Sequence, residues 1–298
     1  MTSENTPQQW KTQTERGALP LIRFIAWVAL RLGRPIARLF LYPICLYFLI
    51  FSNGARAASK QYLARVLGRT PSLFDVFRHF HAFASCVLDR VFFLNDQLHL
   101  FDLTIHGEDL VIDILRRGAG CLLVGAHVGS FEVTGALGRR QPDIRVSLVM
   151  YEENARKIRT VLTAINPRHA VDVIGLGTWD SMIAIGERLE KGYCIGTLAD
   201  RSIDGEGQTR FPFLGAPAAF PRGPFRMAAL VKRPIVLMVG IYRGGRRYDV
   251  FFEPLVDLTE AQRREEQVDE AMRRYVERLE HYCRMAPYNW FNFYDFWA

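Results

Sequence analysis

His127 and Glu132 are the residues whose types and spacing point most directly to chemistry, and they lie in the segment Gly-Ala-His-Val-Gly-Ser-Phe-Glu at 125–132. A histidine with a carboxylate partner suits general-base catalysis, because the carboxylate orients the imidazole ring and raises its basicity. Inside one helix the two side chains would point about 140° apart and would not meet. We therefore predict that His127 lies in a turn, that Ser130 caps the following helix, and that Glu132 on its first turn reaches back to the ring.

The position of His127 at the end of a predicted strand supports this interpretation. The apolar stretch Cys121–Ala126 directly precedes it, and reactive groups of open α/β sheets gather beyond the carboxyl ends of the strands. Gly125 and Gly129 allow a sharp turn there. A buried histidine satisfied by a nearby acid is the structural alternative. A serine hydrolase and a zinc protease are disfavoured, because neither G-x-S-x-G nor H-E-x-x-H occurs in the chain.

Asp200 and Arg201 form a second polar group at a predicted strand end, directly after Cys194–Ala199. The long loop that follows contains several glycines and aromatic residues, and a loop of this length in a compact domain is more often functional than idle. Arg222 and Arg226 lie near the start of the next predicted helix, a position suited to phosphate. A solvated lid is the alternative. Nucleotide binding is disfavoured, because the chain has neither a complete dinucleotide fingerprint nor a Walker lysine.

The elements that must position these residues alternate beyond Gly107 as short apolar runs and amphipathic segments. This pattern predicts an α/β fold with a largely parallel or mixed central sheet flanked by helices. The predicted strands are Cys121–Ala126, Ile144–Tyr151, Val171–Ile174, Cys194–Ala199 and Ile235–Tyr242, with an antiparallel strand Arg246–Pro254 after the Gly244-Gly245 turn. The predicted helices are Ser72–Leu94, Phe131–Arg139, Glu153–Ile165, Trp179–Lys191, Phe225–Val231 and a closing helix that begins at the capping box Thr259-x-x-Gln262 and ends before Pro287.

A hydrophobic N-terminal segment precedes this alternating region. Two apolar pieces, Leu19–Leu32 and Leu39–Phe51, are separated by arginines and Pro35, and neither reaches the roughly 20 apolar residues of a spanning helix. Together they predict a membrane-anchoring helical segment that either spans the bilayer or lies in its interface, with arginines snorkelling to an anionic cytoplasmic surface. A buried core hairpin is the alternative. A cleaved signal peptide ending at Ala55-Arg56-Ala57 is disfavoured, because the preceding region is too long and contains acidic residues.

The composition is that of a folded protein with a basic surface. The chain has 298 residues, 49% of them hydrophobic, and a formal charge of +7, which excludes disorder and a small disulfide scaffold. Its five cysteines show no C-x-x-C spacing, and His79 and His81 point to different sides of one predicted helix, so we predict no metal site. A nucleic-acid partner is disfavoured, because the aromatic residues concentrate in apolar runs and the basic residues are spread.

The motif at 125–132 resembles that of the bacterial lysophospholipid acyltransferase superfamily, and within it the lipid A secondary (late) acyltransferases. The mark of the superfamily is H-x4-D/E, matched by His127 and Glu132 in the context LLVGAHVGSFE. Glu in place of Asp favours the lipid A branch over the glycerolipid enzymes. The branch also carries a strand that ends in Asp followed by a polar residue, and Asp200-Arg201 looks like this pair.

The resemblance continues towards both ends of the chain, over about Leu19 to Trp290. The branch has an N-terminal hydrophobic anchor, an aromatic-rich F-F-G segment and a further glycine, and the last two look like Phe211–Gly215 and Gly223. The tail Asn289–Trp297 keeps the tryptophan of lipid A enzymes but lacks their basic residues. Both a lipid A-like acceptor and an aryl polyene or other unusual membrane lipid therefore remain as acceptor classes.

The resemblance implies an acyltransferase without a cofactor or metal. It would move a fatty acyl chain from an acyl carrier protein or coenzyme A thioester to a lipid hydroxyl, with His127 as general base and Glu132 as its partner. Backbone N–H groups near Gly129 are candidate oxyanion donors. A non-catalytic membrane lipid-binding protein is the alternative. The candidate substrate-binding residues are Gly129, Ser130, Asp200, Arg201, Phe213, Gly215, Arg222, Gly223 and Arg226.

The resemblance also implies where the protein is located, namely at the cytoplasmic face of the bacterial inner membrane. The expected organisation is a polar N-terminus at 1–17, a membrane-anchoring helical segment at 18–60 and an acyltransferase domain at 61–298.

Overall fold

A computed structural model describes residues 18–118, 120–140, 144–152, 155, 160, 162, 163, 165, 166, 172–177, 179–201, 207–259 and 264–298. The described helices are α1 (Ala18–Leu32), α2 (Arg34–Leu39), α3 (Leu41–Phe51), α4 (Asn53–Leu67), α5 (Leu73–Leu94), α6 (Glu108–Arg116), α7 (Phe131–Arg140), α8 (Trp179–Glu190), α9 (Gly223–Val231) and α10 (Arg264–Met285). The described strands are β1 (Asp102–His106), β2 (Leu122–Gly125), β3 (Val146–Tyr151), β4 (Val173–Leu176), β5 (Cys194–Leu198), β6 (Gln208–Phe213), β7 (Ala216–Pro221), β8 (Ile235–Gly244) and β9 (Arg247–Val256).

The central sheet confirms the predicted α/β class. Within the described residues it has seven strands in the order β1-β9-β8-β2-β5-β3-β4. Neighbouring strands are parallel except β8 and β9, which form the antiparallel hairpin predicted at Gly244-Gly245. The strands in the middle of the sheet are buried along almost their whole length, because helices cover both faces.

Successive side chains of β2 enter different cores. Leu122 and Val124 belong to a cluster with α8, α9 and α10, whereas Leu123 belongs to a cluster with α6 and the start of α7. A third cluster joins α1, α2 and α5 to the β8–β9 hairpin. The chain end that follows α10 packs against the first and third clusters, which brings residues 286–298 to the end of the sheet where β2 and β5 finish.

Several predicted boundaries differ from the structure. The segment after Arg201 is not one long loop, because β6 and β7 form a separate antiparallel hairpin. The strand predicted at Val171–Ile174 is β4, at Val173–Leu176. The predicted helix Glu153–Ile165 and the capping box at 259–262 fall partly outside the described residues, as does the polar start at 1–17 altogether.

The N-terminal helices confirm the predicted helical segment but not the expected place of every arginine. Arg34 does not extend to a membrane surface: it forms a buried ion pair with Asp89 of α5 at 2.7 Å and donates to the carbonyl oxygen of Gly245. The stretch Arg34–Phe51 is long and apolar enough to cross a membrane, with a mean hydropathy of 1.5. The expected boundary between residues 60 and 61 falls inside α4.

Candidate functional site

The site is built where two neighbouring strands end at the same level. In the register of β2 and β5, Gly125 is paired with Leu198. His127 and Asp200 each lie two residues beyond these paired positions, so parallel pairing alone places their backbones side by side. The sequence predicted both strand ends but not that these two strands are neighbours.

Asp200 holds the imidazole ring of His127. Its Oδ1 lies 2.7 Å from Nδ1 of the ring, and its Oδ2 accepts the backbone N–H of His127 at 3.0 Å. The Asp200 side chain is fully buried, whereas 30% of the His127 side chain is exposed. With Nδ1 bound to the carboxylate, Nε2 is the ring nitrogen that remains available to accept a proton.

Both groups are in the protonation states that base catalysis needs. Burial lowers the pKa of His127, and the positive charge of Arg201 lowers it further, although Asp200 acts in the opposite direction. Burial would raise the pKa of Asp200, but His127 and Arg201 outweigh it and bring that pKa to about 2. At neutral pH the pair is therefore a carboxylate and a neutral imidazole, with the proton on Nδ1 and a lone pair on Nε2.

Glu132 does not take the place expected for it. Its Oε1 forms an ion pair with Nε of Arg90 on α5 at 2.6 Å, and its Oε2 accepts a hydrogen bond from the Ser130 hydroxyl at 3.3 Å. Glu132 lies on the first turn of α7, as predicted, but the carboxylate that contacts the imidazole comes from the neighbouring strand. Its negative charge still acts on the ring, because it raises the pKa of His127.

The chain end supplies a part of the site that the motifs in the sequence did not predict. The indole N–H of Trp290 donates to Oδ2 of Asp200 at 3.0 Å, and the backbone N–H of Phe291 donates to the carbonyl oxygen of His127 at 2.8 Å. Trp290 also forms a β-bridge with Val128. The retained tryptophan of the tail was the available signal, but nothing in the sequence connects it to Asp200.

The backbone after His127 is held tightly, and this corrects the expected oxyanion site. The N–H groups of Val128, Gly129 and Ser130 donate to the carbonyl oxygens of Ala126, Asn289 and Gly240, respectively. Gly129 has a φ of 61°, and a Cβ there would lie 1.9 Å from the Gly240 oxygen, so only glycine fits. These three N–H groups are therefore engaged within the protein, which leaves none of them unpaired for an oxyanion.

Arg201 directly follows Asp200 in the chain, and its charge acts on both members of the ring pair. Its Nε donates to Oδ1 of Asn292 at 2.9 Å and its Nη2 to the carbonyl oxygen of Phe291 at 2.9 Å, so the chain end fixes the guanidinium beside the site. The effect of Arg201 on the pKa of both His127 and Asp200 is consistent with this position.

Arg222 and Arg226 lie away from His127. They form ion pairs with Glu265 and, for Arg222, also with Asp269, all on the first turns of α10. Tyr275, whose hydroxyl donates to the Gly125 carbonyl, lies at least six residues further along that helix, a rise of about 9 Å. These arginines tie α9 to α10 and do not meet the ring pair.

The remaining candidate residues have structural roles. Gly223 begins α9, and Gly215, with a φ of 81°, forms the turn between β6 and β7. Phe213 is fully buried and packs its ring 5.2 Å from that of Trp290, so it supports the site from behind. Among the described residues, no group of three or more His, Cys, Asp or Glu is arranged to hold a metal ion.

A comparison with known protein families gives a match over almost the whole chain. The profile of one protein family, bacterial lipid A biosynthesis acyltransferase, matches residues 7–298. No curated protein matches the chain.

Proposed function

Because the chain belongs to the bacterial lipid A biosynthesis acyltransferase family, we propose that it transfers a fatty acyl chain from a thioester, on acyl carrier protein or coenzyme A, to a hydroxyl of a membrane lipid. The observation that supports this most is the partly exposed, neutral imidazole of His127, whose Nδ1 is held by buried Asp200.

In the proposed reaction, Nε2 of His127 removes the proton of the acceptor hydroxyl as its oxygen attacks the thioester carbon. The C–O bond forms, the carbonyl electrons move to oxygen, and the C–S bond then breaks as the carbonyl reforms. The imidazolium gives its proton to the departing thiolate, so the enzyme returns to its first state. A positioned base of this kind contributes about 100- to 10,000-fold to the rate.

Asp200 takes the orienting role that the sequence suggested for Glu132. Its carboxylate keeps the proton on Nδ1 and stabilises the imidazolium that forms in the transition state. Glu132, paired with Arg90, adds a second negative charge nearby. Arg201 supplies the positive charge that would face the developing oxyanion or a phosphate of either substrate.

The exposed apolar surface of the N-terminal helices supports association with a membrane, where both the acceptor and the acyl product would reside. On α3 alone, Tyr42, Leu46, Tyr47, Phe48, Ile50 and Phe51 are each about half exposed or more. We propose the cytoplasmic face of the inner membrane as its location, because thioester donors are made in the cytoplasm.

The test is transfer of a labelled acyl chain from each thioester donor into a total bacterial lipid extract, with mass analysis of the product. His127→Ala is expected to lose at least about 100-fold of the activity of the wild type, and His281→Ala, at an exposed position on α10, is expected to keep it. Equal labelling by a folded His127→Ala protein would overturn the catalytic role of His127. No labelling by either protein would favour a lipid-binding protein without that chemistry. The mass of the product names the acceptor class, lipid A-like or otherwise.

A further inference from the structure

Asp200 is a fully buried carboxylate whose charge is balanced by donors from two directions. Oδ1 faces Nδ1 of His127, and Oδ2 accepts from the His127 backbone and from the indole N–H of Trp290. A buried charge is stable only when such bonds satisfy it. Of these donors, only the indole comes from outside the loop that carries the base.

Trp290 is itself fixed in place. Its side chain is fully buried, and its carbonyl oxygen lies 2.8 Å from Nε2 of His79, a buried histidine whose other ring nitrogen contacts the Ser59 hydroxyl at 2.9 Å. The rings packed around the indole within about 6 Å belong to Tyr62, Phe213, Phe296 and Trp297. The indole therefore has one orientation, and that orientation points its N–H at Asp200.

We propose that Trp290 is a positioning residue for the base of this enzyme. Its indole N–H holds the carboxylate of Asp200 in the orientation that accepts a hydrogen bond from Nδ1 of His127. The inference rests on the proposed function, because it concerns the same base. The chain end then takes part in the site, and it acts through the hydrogen bond from the Trp290 indole to Asp200.

The indole also adjusts the strength of the base. Its hydrogen bond withdraws charge from Asp200, so the carboxylate favours the imidazolium less than it would alone. Removal of this N–H leaves a more basic carboxylate, which raises the pKa of His127. The rotation of Asp200 that follows also leaves the ring less well aligned. A packing role alone would produce neither the first change nor a loss confined to turnover.

Trp290→Phe in the full-length chain tests the proposal, with kcat, KM and the pH profile of transfer as readouts. We expect kcat to fall about 10- to 100-fold, the effect of losing one hydrogen bond to a charged group, with KM for the thioester within about twofold. The acid limb of kcat/KM should move upward by about half a pH unit. Trp297→Phe is the matched control, because its indole N–H donates to the Phe213 carbonyl oxygen in the same aromatic cluster and does not contact Asp200. It should leave kcat and the acid limb unchanged.

A second variant separates the hydrogen bond from the packing. Replacement of Trp290 by 3-benzothienylalanine keeps the bicyclic shape but puts sulfur in place of N–H. It should reproduce the loss of kcat and the shift of the acid limb. Wild-type kcat and acid limb in this variant would overturn the proposal, whatever Trp290→Phe does to folding.

A titration of His127 followed by nitrogen NMR tests the role of Trp290 without requiring acyl transfer. If the wild type transfers no acyl group, the proposed function fails, but the pKa of His127 can still be compared between the wild type and the two Trp290 variants. An upward shift in both variants would support the hydrogen-bond role of the indole. An unchanged pKa in both would overturn it.

Discussion

At the scale of single residues, two carboxylates compete for the role of partner to His127, and geometry separates them. Asp200 bonds the ring nitrogen directly and is fully buried, where each hydrogen bond is strong. Glu132 is a fifth exposed and its nearest charge is Arg90. Asp200 therefore sets the tautomer of the imidazole, whereas Glu132 acts on it only through space.

Asp200→Asn is expected to lower kcat far more than Glu132→Gln. An asparagine that donates its N–H to Nδ1 drives the ring proton to Nε2 and removes the base, a change worth about 1,000- to 10,000-fold where it has been measured in a similar pair. Loss of the partly exposed charge of Glu132 should cost less than about tenfold.

The two variants are compared in one acyl-transfer assay at saturating donor, with folding checked by circular dichroism. A loss in Glu132→Gln that equals or exceeds the loss in Asp200→Asn would contradict the assignment of Asp200 as the ring partner.

Only those features of the site that involve residues close together in the sequence could be predicted. His127 stands out because its strand, glycines and acid lie within a few positions, and Asp200 because it also follows an apolar run. Their partnership spans 73 residues and depends on β2 and β5 being neighbours, which hydrophobic periodicity does not determine. Trp290 is 90 residues from Asp200 and reaches it only after α10 has packed into the core that β2 shares.

At the scale of elements, α2 is joined to the folded domain through charge. Arg34 reaches Asp89 of α5 with two hydrogen bonds of 2.7 and 2.8 Å, and the hydroxyl of Tyr248 on β9 donates to the same carboxylate at 2.7 Å. Arg34 also binds the Gly245 carbonyl in the β8–β9 turn. One arginine thus links the N-terminal helices to the sheet.

Arg34→Met is expected to destabilise the protein by about 3–5 kcal/mol, because it leaves Asp89 buried without its cation. Thermal unfolding in a mild detergent would measure the change. The double variant Arg34→Met with Asp89→Leu should recover much of the loss, since no charge is then left unpaired.

Arg273→Met is the control for this element. Arg273 pairs with Glu270 and Glu277 on the exposed face of α10, where an ion pair contributes about 1 kcal/mol or less. If Arg34→Met lowers the stability of the protein as little as Arg273→Met does, the buried pair does not stabilise the junction between α2 and the folded domain.

The elements themselves were predictable to different degrees for physical reasons. The parallel strands are buried on both faces and appear as short apolar runs, and α5 begins at a capping box of Ser72 and Asp75. The β6–β7 hairpin was missed, because its strands contain Pro212, Pro217 and Pro221 and alternate irregularly. Proline is tolerated there because the hairpin forms a separate sheet of two edge strands.

At the scale of the whole molecule, apolar exposure is concentrated in one region. Of the nineteen large apolar side chains that are exposed in the described part of the chain, sixteen precede residue 88, and only Ile183, Leu230 and Met285 lie elsewhere. Exposed apolar surface of this extent marks an interaction site. Phe83 of this region packs against the buried ring of Phe291, the residue after Trp290, so the region adjoins the chain end that contributes to the site.

The net charge of the chain fits the proposed membrane location. A formal charge of +7 would attract an anionic bilayer, while the exposed apolar side chains of α3 would insert among its acyl chains. A lipid acceptor that stays in the bilayer would then need to travel only along the surface to reach His127. Membrane binding and activity on bilayer substrates should therefore change together.

Leu46→Ser with Ile50→Ser is expected to weaken binding to anionic vesicles at least about 100-fold, because both side chains are about half exposed and lie one turn apart on α3. The pair Ile183→Ser with Leu230→Ser removes the same kind of exposed surface from α8 and α9 and should leave vesicle binding unchanged. Sedimentation with vesicles measures binding, and transfer to a vesicle-borne or a detergent-dispersed acceptor measures activity. The α3 variant should lose transfer to vesicles but keep transfer in detergent, since its substitutions leave the His127 site intact. Equal binding losses in the two variants would mean that general hydrophobicity, and not the α3 surface, holds the protein on the membrane.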